Sequence, residues 1–228
     1  MISVPRYLLL IFAIAMGGLF SPVLLAQQKD AGLWTNISLE VKVADKLTAT
    51  VSQEFRFNEN ISELGAYFTD AGLGYKFNKF FQVAANYRFT QRRRVDDSYS
   101  PRNRFYVDLK FQKKFKPIEF QFRTRLQDQY ADIGRASEGG IAEYYSRNKF
   151  SIKWELNKLF KPYLSVEVFS PLNYPRLNAF DNIRTSAGVE YALSKHHNFD
   201  LYYMIQKELH LSNPITYFIV GVGYLYKW

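Results

Sequence analysis

The sequence predicts an all-β protein, an antiparallel up-and-down transmembrane β-barrel, and three observations support that prediction. Apolar and polar residues alternate with a period of two from Leu33 onward, which indicates strands rather than helices. The strands are about ten residues or longer, which matches a tilted strand that crosses the hydrocarbon layer of a bilayer. Short turns and longer polar loops follow one another in strict alternation, as in outer-membrane barrels.

The first 26 residues predict an export signal. Arg6 precedes an apolar run from Tyr7 to Phe20, Pro22 ends that run, and Ala26 supplies a small residue before a cleavage site. The alternative is an N-terminal membrane anchor, but the run is shorter than the ~20 apolar residues that a spanning helix needs. We therefore expect a signal peptide over residues 1–26 and a barrel over residues 27–228.

Eleven candidate strands follow in the mature chain. Bacterial single-chain barrels have an even number of strands as a rule, so we expect ten or twelve, with one strand missed, split or lying outside the wall. The candidates cover residues 33–43, 47–57, 67–77, 80–90, 103–114, 118–128, 146–156, 162–170, 183–193, 197–208 and 216–228.

Alternation alone does not say which face of the barrel is inside. A soluble exported barrel that binds lipid would turn its apolar face inward. Strand length and the aromatic residues near strand ends, such as Tyr75, Phe77, Tyr87 and Phe89, favour the opposite arrangement, because aromatic rings prefer the membrane interface. Ten or more strands also enclose more space than apolar side chains alone would fill. We expect an apolar outer wall in a bacterial outer membrane and a charged lumen.

The last strand carries a signal of its own. Tyr224, Tyr226 and Trp228 lie on one face and end the chain on an aromatic residue. This pattern resembles the C-terminal signal that the barrel-assembly machinery recognises, although Phe is the commoner final residue. The assembly machinery and outer-membrane lipids are therefore the expected partners.

Several short motifs resemble a known family. They are Gly32-Leu33-Trp34, Glu54-Phe55-Arg56-Phe57-Asn58, Tyr87-Arg88-Phe89, Lys207-Glu208-Leu209 and Gly223-Tyr224-Leu225-Tyr226. Together they are similar to outer-membrane barrels of unknown function that are common in Bacteroidota. The resemblance extends over the whole mature chain. It implies a barrel fold and no established activity.

The composition excludes much of the chemistry of enzymes. The chain has no cysteine and three histidines, so it lacks thiolate metal sites, cysteine nucleophiles and the means to build a histidine-rich metal centre. The alternative is a lipid-modifying enzyme in which His210, Ser212 and Glu208 act together at a strand end. Residues two positions apart on a strand lie about 7 Å from each other, too far for a hydrogen bond. We expect no enzyme, cofactor or metal.

Charged residues at alternate positions predict a lumen that is either filled by ion pairs or forms a narrow channel. Basic and acidic side chains are nearly balanced there, and neighbouring strands bring opposite charges into contact. The expected role is a passive small-solute pore or an envelope structural protein, with a weak preference for anions if arginines line the constriction. The residues proposed for this charge network and for selectivity are Arg88, Arg104, Arg123, Arg125, Glu119 and Asp108.

The excess of positive charge, +9 for the full chain, lies largely near strand ends. Arg92, Arg93 and Arg94 fall in a predicted loop, where they would either bind lipid phosphates or simply be hydrated. Nucleic acid is not an expected partner of an exported barrel.

Overall fold

A computed structural model describes residues 28–130, 143–173 and 180–228. The predicted signal peptide, residues 1–26, lies outside the described residues. Eleven strands form within the described ranges, and each overlaps one of the predicted strands. They are β1 (Gln28–Ala44), β2 (Leu47–Asn58), β3 (Glu63–Lys76), β4 (Phe81–Arg93), β5 (Tyr99–Phe115), β6 (Ile118–Tyr130), β7 (Glu143–Trp154), β8 (Phe160–Pro171), β9 (Asn182–Ala192), β10 (His197–Glu208) and β11 (Ile215–Lys227). Within these ranges no apolar helix has the length that a membrane span requires.

The strands close into a barrel, which confirms the predicted fold class. Each strand pairs antiparallel with the next, and β1 completes the wall by pairing parallel with β11, from Gln28 opposite Ile215 to Glu40 opposite Lys227. The expectation of ten or twelve strands is wrong for the described chain. An up-and-down meander of eleven strands has its first and last strands running in the same direction, so closure requires one parallel pair.

The two ends of the barrel differ in their connections. At one end, called here the turn end, short turns join β1 to β2 and β5 to β6. The other end, the loop end, holds the longer connections, and its β2–β3 connection is shorter than predicted. Glu59, Asn60 and Ile61 adopt positive φ there. The Asp30 carboxylate accepts hydrogen bonds from the backbone N–H groups of Glu59 and Asn60 at 3.1 and 2.8 Å.

Apolar side chains cover the outside of the barrel, and polar side chains fill its inside. Large outward residues such as Ile37 and Leu201 are about 60% exposed (62% and 57%), whereas inward charged residues such as Arg147 and Glu167 are 7% and 5% exposed. This distribution is the reverse of that in a soluble globular protein, where exposed large apolar surface is limited. It confirms that the charged face lines the lumen.

Aromatic rings form clusters on the outer wall near both ends. Phe81 stacks between Phe77 and Phe111 at the turn end, with centroid distances of 5.4 and 4.7 Å. Tyr67 contacts Phe55 and Tyr99 towards the loop end. Two separated bands of rings flank the apolar middle of the wall, the arrangement in which rings would lie at two membrane interfaces.

Candidate functional site: the charged lumen

A belt of ion pairs crosses the lumen at mid-height, and its first part joins β3, β4 and β5. The Arg88 guanidinium donates to both oxygens of Asp70, with Nε–Oδ1 and Nη2–Oδ2 distances of 2.9 and 2.8 Å. The Tyr106 hydroxyl donates to the same carboxylate at 2.8 Å. Arg88 also lies over the Phe68 ring, 3.6 Å from its centroid. The guanidinium is thus fixed along its edge by a carboxylate and across its face by a ring.

Glu167 on β8 is the centre of the second part of the belt. Arg147 donates through Nη2 to Oε1 and Oε2 at 2.9 and 3.0 Å, Arg123 donates to Oε1, and Nη1 of Arg184 lies 3.6 Å from Oε2. One carboxylate therefore neutralises part of the charge of three arginines. All four side chains are largely withdrawn from solvent.

Arg125 and Asp108 complete the belt on β5 and β6. Arg125 donates through Nε and Nη2 to the two carboxylate oxygens at 2.7 and 2.8 Å, and its guanidinium lies 3.8 Å from the centroid of the Tyr106 ring. This two-point contact is the strongest geometry that an arginine and a carboxylate form.

Uncharged side chains fill the remaining space at this level. Phe68 and Ile219 are each 2% exposed, and Met204 is buried beside them. The Tyr202 ring lies directly against Gly221, so close that a Cβ at position 221 would be 1.9 Å from the ring carbon Cζ. A glycine is needed there because the ring occupies the space of a side chain. Side chains therefore occupy the middle of the lumen, and the lumen continues on both sides of this level.

The loop-side chamber is a cavity of about 500 Å³ that is rich in arginine. Its walls carry seven arginines and three carboxylates. Four of those arginines form ion pairs with Glu54, Asp70 or Glu167. The other three, on β4 and β5, form none in the described chain. The arginines are Arg56, Arg88, Arg92, Arg102, Arg104, Arg147 and Arg184, and the acidic residues are Glu143, Asp181 and Glu208.

The part of the lumen between the belt and the turn end, called here the turn-side chamber, is polar as well. Lys153 binds Glu190, and the Tyr163 hydroxyl donates to Asp200 at 3.1 Å. Lys110 is part of no ion pair among the described residues. The belt thus lies between two chambers that both carry basic groups.

Positive charge is concentrated on one wall of the lumen. The four adjacent strands β4–β7 turn eleven basic residues inward, against three acidic residues: Asp108, Glu119 and Glu143. The other seven strands carry most of the acidic groups, including Glu167, Glu190 and Asp200. This arrangement creates a field across the lumen. The eleven basic residues are Arg88, Arg92, Arg102, Arg104, Lys110, Lys114, Arg123, Arg125, Arg147, Lys149 and Lys153.

The structure brings most of the predicted selectivity residues together. Arg88, Arg123, Arg125 and Asp108 belong to the belt, and Arg104 lines the chamber directly above it. Glu119 lies apart, near the turn end, where it accepts a hydrogen bond from Gln121. Sequence reasoning left Arg147, Glu167 and Arg184 out of this selectivity set, although their alternation placed them inside.

The arginine run at 92–94 does not form one surface. Arg92 lines the loop-side chamber, and Arg93 forms ion pairs with Glu63 and Asp97 at 3.1 and 2.7 Å. Arg94 is the one in the connecting loop, where its Nη2 donates to a serine hydroxyl. Binding of lipid phosphate by these residues stays a prediction.

The groups of the alternative catalytic site engage other partners. His210 Nδ1 is 2.8 Å from the Phe180 carbonyl oxygen, and Glu208 accepts the backbone N–H of Ile215. Neither contacts Ser212 in the part of the chain that the structure describes. No group of three or more acidic or histidine residues that could hold a metal occurs among these described side chains. The lining of the loop-side chamber is polar, whereas the alternative of a soluble lipid-binding barrel predicts an apolar interior.

On the last strand, Tyr224 and Tyr226 face outward and pack against His197. Trp228 follows the strand, and its backbone N–H donates to the Glu40 carbonyl at 2.8 Å. The three predicted assembly-signal residues thus end the barrel at the β1–β11 closure. Their recognition by the assembly machinery stays a prediction.

The chain is a closed β-barrel with an apolar outer wall and a charged lumen. This polarity is typical of the transmembrane class of β-barrels. The family described as "Protein of unknown function (DUF2490)" matches residues 31–214, and the chain belongs to that family. The predicted resemblance to a family of unknown function is thereby confirmed, whereas its bacterial group stays a prediction. No curated protein matches the sequence.

Two solved structures are similar in fold. A NanC porin is 14% identical and matches 77% of this chain and 85% of its own, with a TM-score of 0.49. The β-domain of the Bordetella autotransporter BrkA is 11% identical and matches 76% of this chain and 80% of its own, with a TM-score of 0.40. At these values the activities of the two proteins are not transferred to this chain.

Proposed function

We propose that this protein is an integral outer-membrane barrel that acts as a narrow, anion-preferring pore for small solutes. Support for the membrane location comes from the outer wall, where large apolar side chains such as Leu73 and Leu201 are more than half exposed. Such a surface is unfavourable in water and suited to lipid. Strands of 11 to 17 residues are long enough to cross the hydrocarbon layer when tilted.

The observation that carries the pore proposal is the basic wall of β4–β7. It runs from Arg92 at the loop end through Arg104 and Arg125 to Lys110 and Lys153 near the turn end. An anion that enters either chamber meets basic groups at every level, which favours anions over cations in a lumen of low dielectric.

The side chains of the belt limit the conductance that we expect. Its side chains fill the lumen at mid-height, so ions pass only when some of them change rotamer. We expect a conductance well below that of a wide, water-filled porin.

Planar-bilayer recording tests this function directly. In a salt gradient the purified protein should show small current steps with a reversal potential on the anion side. Lys110→Glu and Lys149→Glu should shift that potential towards cations, since both charges face the turn-side chamber. Lys113→Glu, on the outer wall, is the matched control and should leave it unchanged.

A structural role in the envelope is the second candidate, and the packed belt favours it. It would be preferred over a pore if neither the native protein nor a variant with a truncated belt side chain conducted.

Membrane location and orientation are tested separately. Unboiled protein from the outer-membrane fraction should migrate differently from boiled protein, as closed barrels do. The chain has no cysteine, so Asp97→Cys in the β4–β5 loop gives a single thiol. A membrane-impermeant maleimide should label it on intact cells, whereas Asp45→Cys at the turn end should stay unlabelled until the cells are opened.

A further inference from the structure

Two arginines of the loop-side chamber stand out because neither forms a direct ion pair with a carboxylate of the described chain. Arg102 and Arg104 on β5 form no ion pair within 4.0 Å among the residues that the structure describes, and Arg104 donates to the Gln129 amide oxygen instead. The Nε atom of each is buried without a hydrogen-bond partner in the same part of the chain. By contrast, Arg88 and Arg147 in the same chamber are held by carboxylates.

The position of Arg104 makes its charge costly. It lies directly opposite Arg88 across the β4–β5 pair. Opposed like charges destabilise a sheet, and buried charges require compensation. Asp70 compensates Arg88 and leaves Arg104 exposed to the repulsion. An anion in the chamber would contribute the missing negative charge.

Several residues that line the same chamber hold buried polar atoms without a hydrogen-bond partner in the described chain. Six of the ten buried side-chain polar atoms without a partner in the described chain belong to residues that line it. Besides the two arginine nitrogens, they are oxygens of Asn58, Gln127, Asp181 and Asn182. Carbonyl and carboxylate oxygens accept hydrogen bonds from hydroxyl groups. The chamber wall therefore combines cationic donors with residues whose oxygens retain acceptor capacity for hydroxyls.

Three carboxylates line the chamber as well, but none of them forms an ion pair with Arg102 or Arg104 in the described chain. Burial raises the pKa of Asp181 above its ordinary value, and the neighbouring carboxylates Glu143 and Glu208 raise it further. Glu143 and Glu208 are themselves engaged, since Glu143 accepts from Gln129 and Glu208 accepts from the Ile215 N–H.

We propose that the loop-side chamber is a binding site for a small polyhydroxylated organic anion, whose carboxylate or phosphate contacts Arg102 and Arg104 and whose hydroxyls donate to the surrounding oxygens. Arginine suits both anionic groups because its planar edge offers two parallel donors. A volume of about 500 Å³ lies within the range of small-molecule sites. This inference rests on the proposed pore, because it names the class of solute that the pore would carry.

Calorimetric titration of the detergent-solubilised full chain tests the site without requiring current. The probes are D-glucuronate for the carboxylate, glucose 1-phosphate for the phosphate, and glucose as the uncharged control. We expect one or both anions to bind and glucose to bind at least about tenfold more weakly, because charge-assisted hydrogen bonds are lost. Arg102→Gln and Arg104→Gln should each weaken anion binding about tenfold or more.

The matched control is Arg94→Gln, which removes the same charge from the same end of the barrel but outside the chamber. It should bind like the native protein. Arg104→Lys keeps the charge and loses the two-point contact, so its affinity should lie between those of the native protein and Arg104→Gln. Each variant is first checked for the heat-dependent gel shift of a folded barrel.

The site is refuted if neither anion binds, if glucose binds as well as the anions, or if Arg94→Gln weakens binding as much as Arg104→Gln. Anion binding without conductance would refute the pore and leave the site in place. Conductance without anion binding would refute the site and leave the pore.

Discussion

Glu167 is the residue on which the belt depends most. Its carboxylate is 5% exposed and accepts from Arg123 and Arg147, with Nη1 of Arg184 3.6 Å away. Glu167→Gln keeps the shape of the side chain and removes its charge, which leaves three buried cations around a neutral amide. Removing one partner of a buried ion pair costs about 3–5 kcal/mol. Since three arginines share this carboxylate, we expect a loss of about 3 kcal/mol or more.

The assay is urea unfolding of the barrel from lipid vesicles, followed by tryptophan fluorescence and by the unboiled gel band. A loss of about 3 kcal/mol corresponds to more than a hundredfold change in the unfolding equilibrium. Glu119→Gln is the matched control: Glu119 is also in the lumen, but its contact is a neutral amide. We expect it to cost less than about 1 kcal/mol. Equal stabilities of the two variants would refute the central role of Glu167.

Three further predictions concern packing and the outer wall. Gly221→Ala should destabilise the barrel by about 1–3 kcal/mol, because its Cβ would lie 1.9 Å from the Tyr202 ring. The control is Gly223→Ala, whose Cβ would lie 3.4 Å from its nearest neighbour and which should have little effect in the same urea assay. Leu201→Arg should cost about 2–4 kcal/mol in vesicles, since Leu201 faces lipid on the outer wall, and an unchanged stability would contradict the membrane assignment. Phe68→Ala should increase single-channel conductance, because the 2% exposed ring fills the belt between two arginines; an unchanged conductance would place the constriction elsewhere.

Alternation predicted most of the wall because lipid on one side and polar groups on the other impose a strict period of two. The candidates at 47–57 and 197–208 agree with β2 and β10 to within one residue. There is a physical reason why the sequence does not predict the odd number of strands. The even-number rule assumes that the first and last strands run in opposite directions, and it contains no information about β1, which here runs alongside β11 in parallel.

Strand ends were harder to predict than strand centres. The segment 91–102 has polar residues on both faces, so it resembles a loop, yet β4 continues to Arg93 and β5 begins at Tyr99. Strands that extend beyond the apolar band no longer alternate, because both faces then meet water or polar neighbours. This is why Arg92 and Arg102 were assigned to a loop although both line the chamber.

The near balance of inward charges concealed how those charges are arranged. A count of residues treats every pair as equivalent, whereas a barrel gives each residue a height and a position around the wall. Asp70, Asp108 and Glu167 pair with arginines of the belt, whereas no carboxylate of the described chain pairs with Arg102 or Arg104. A nearly balanced lumen can therefore hold a chamber with uncompensated positive charge. We expect the proposed anion preference to follow from that separation of charge rather than from its net amount.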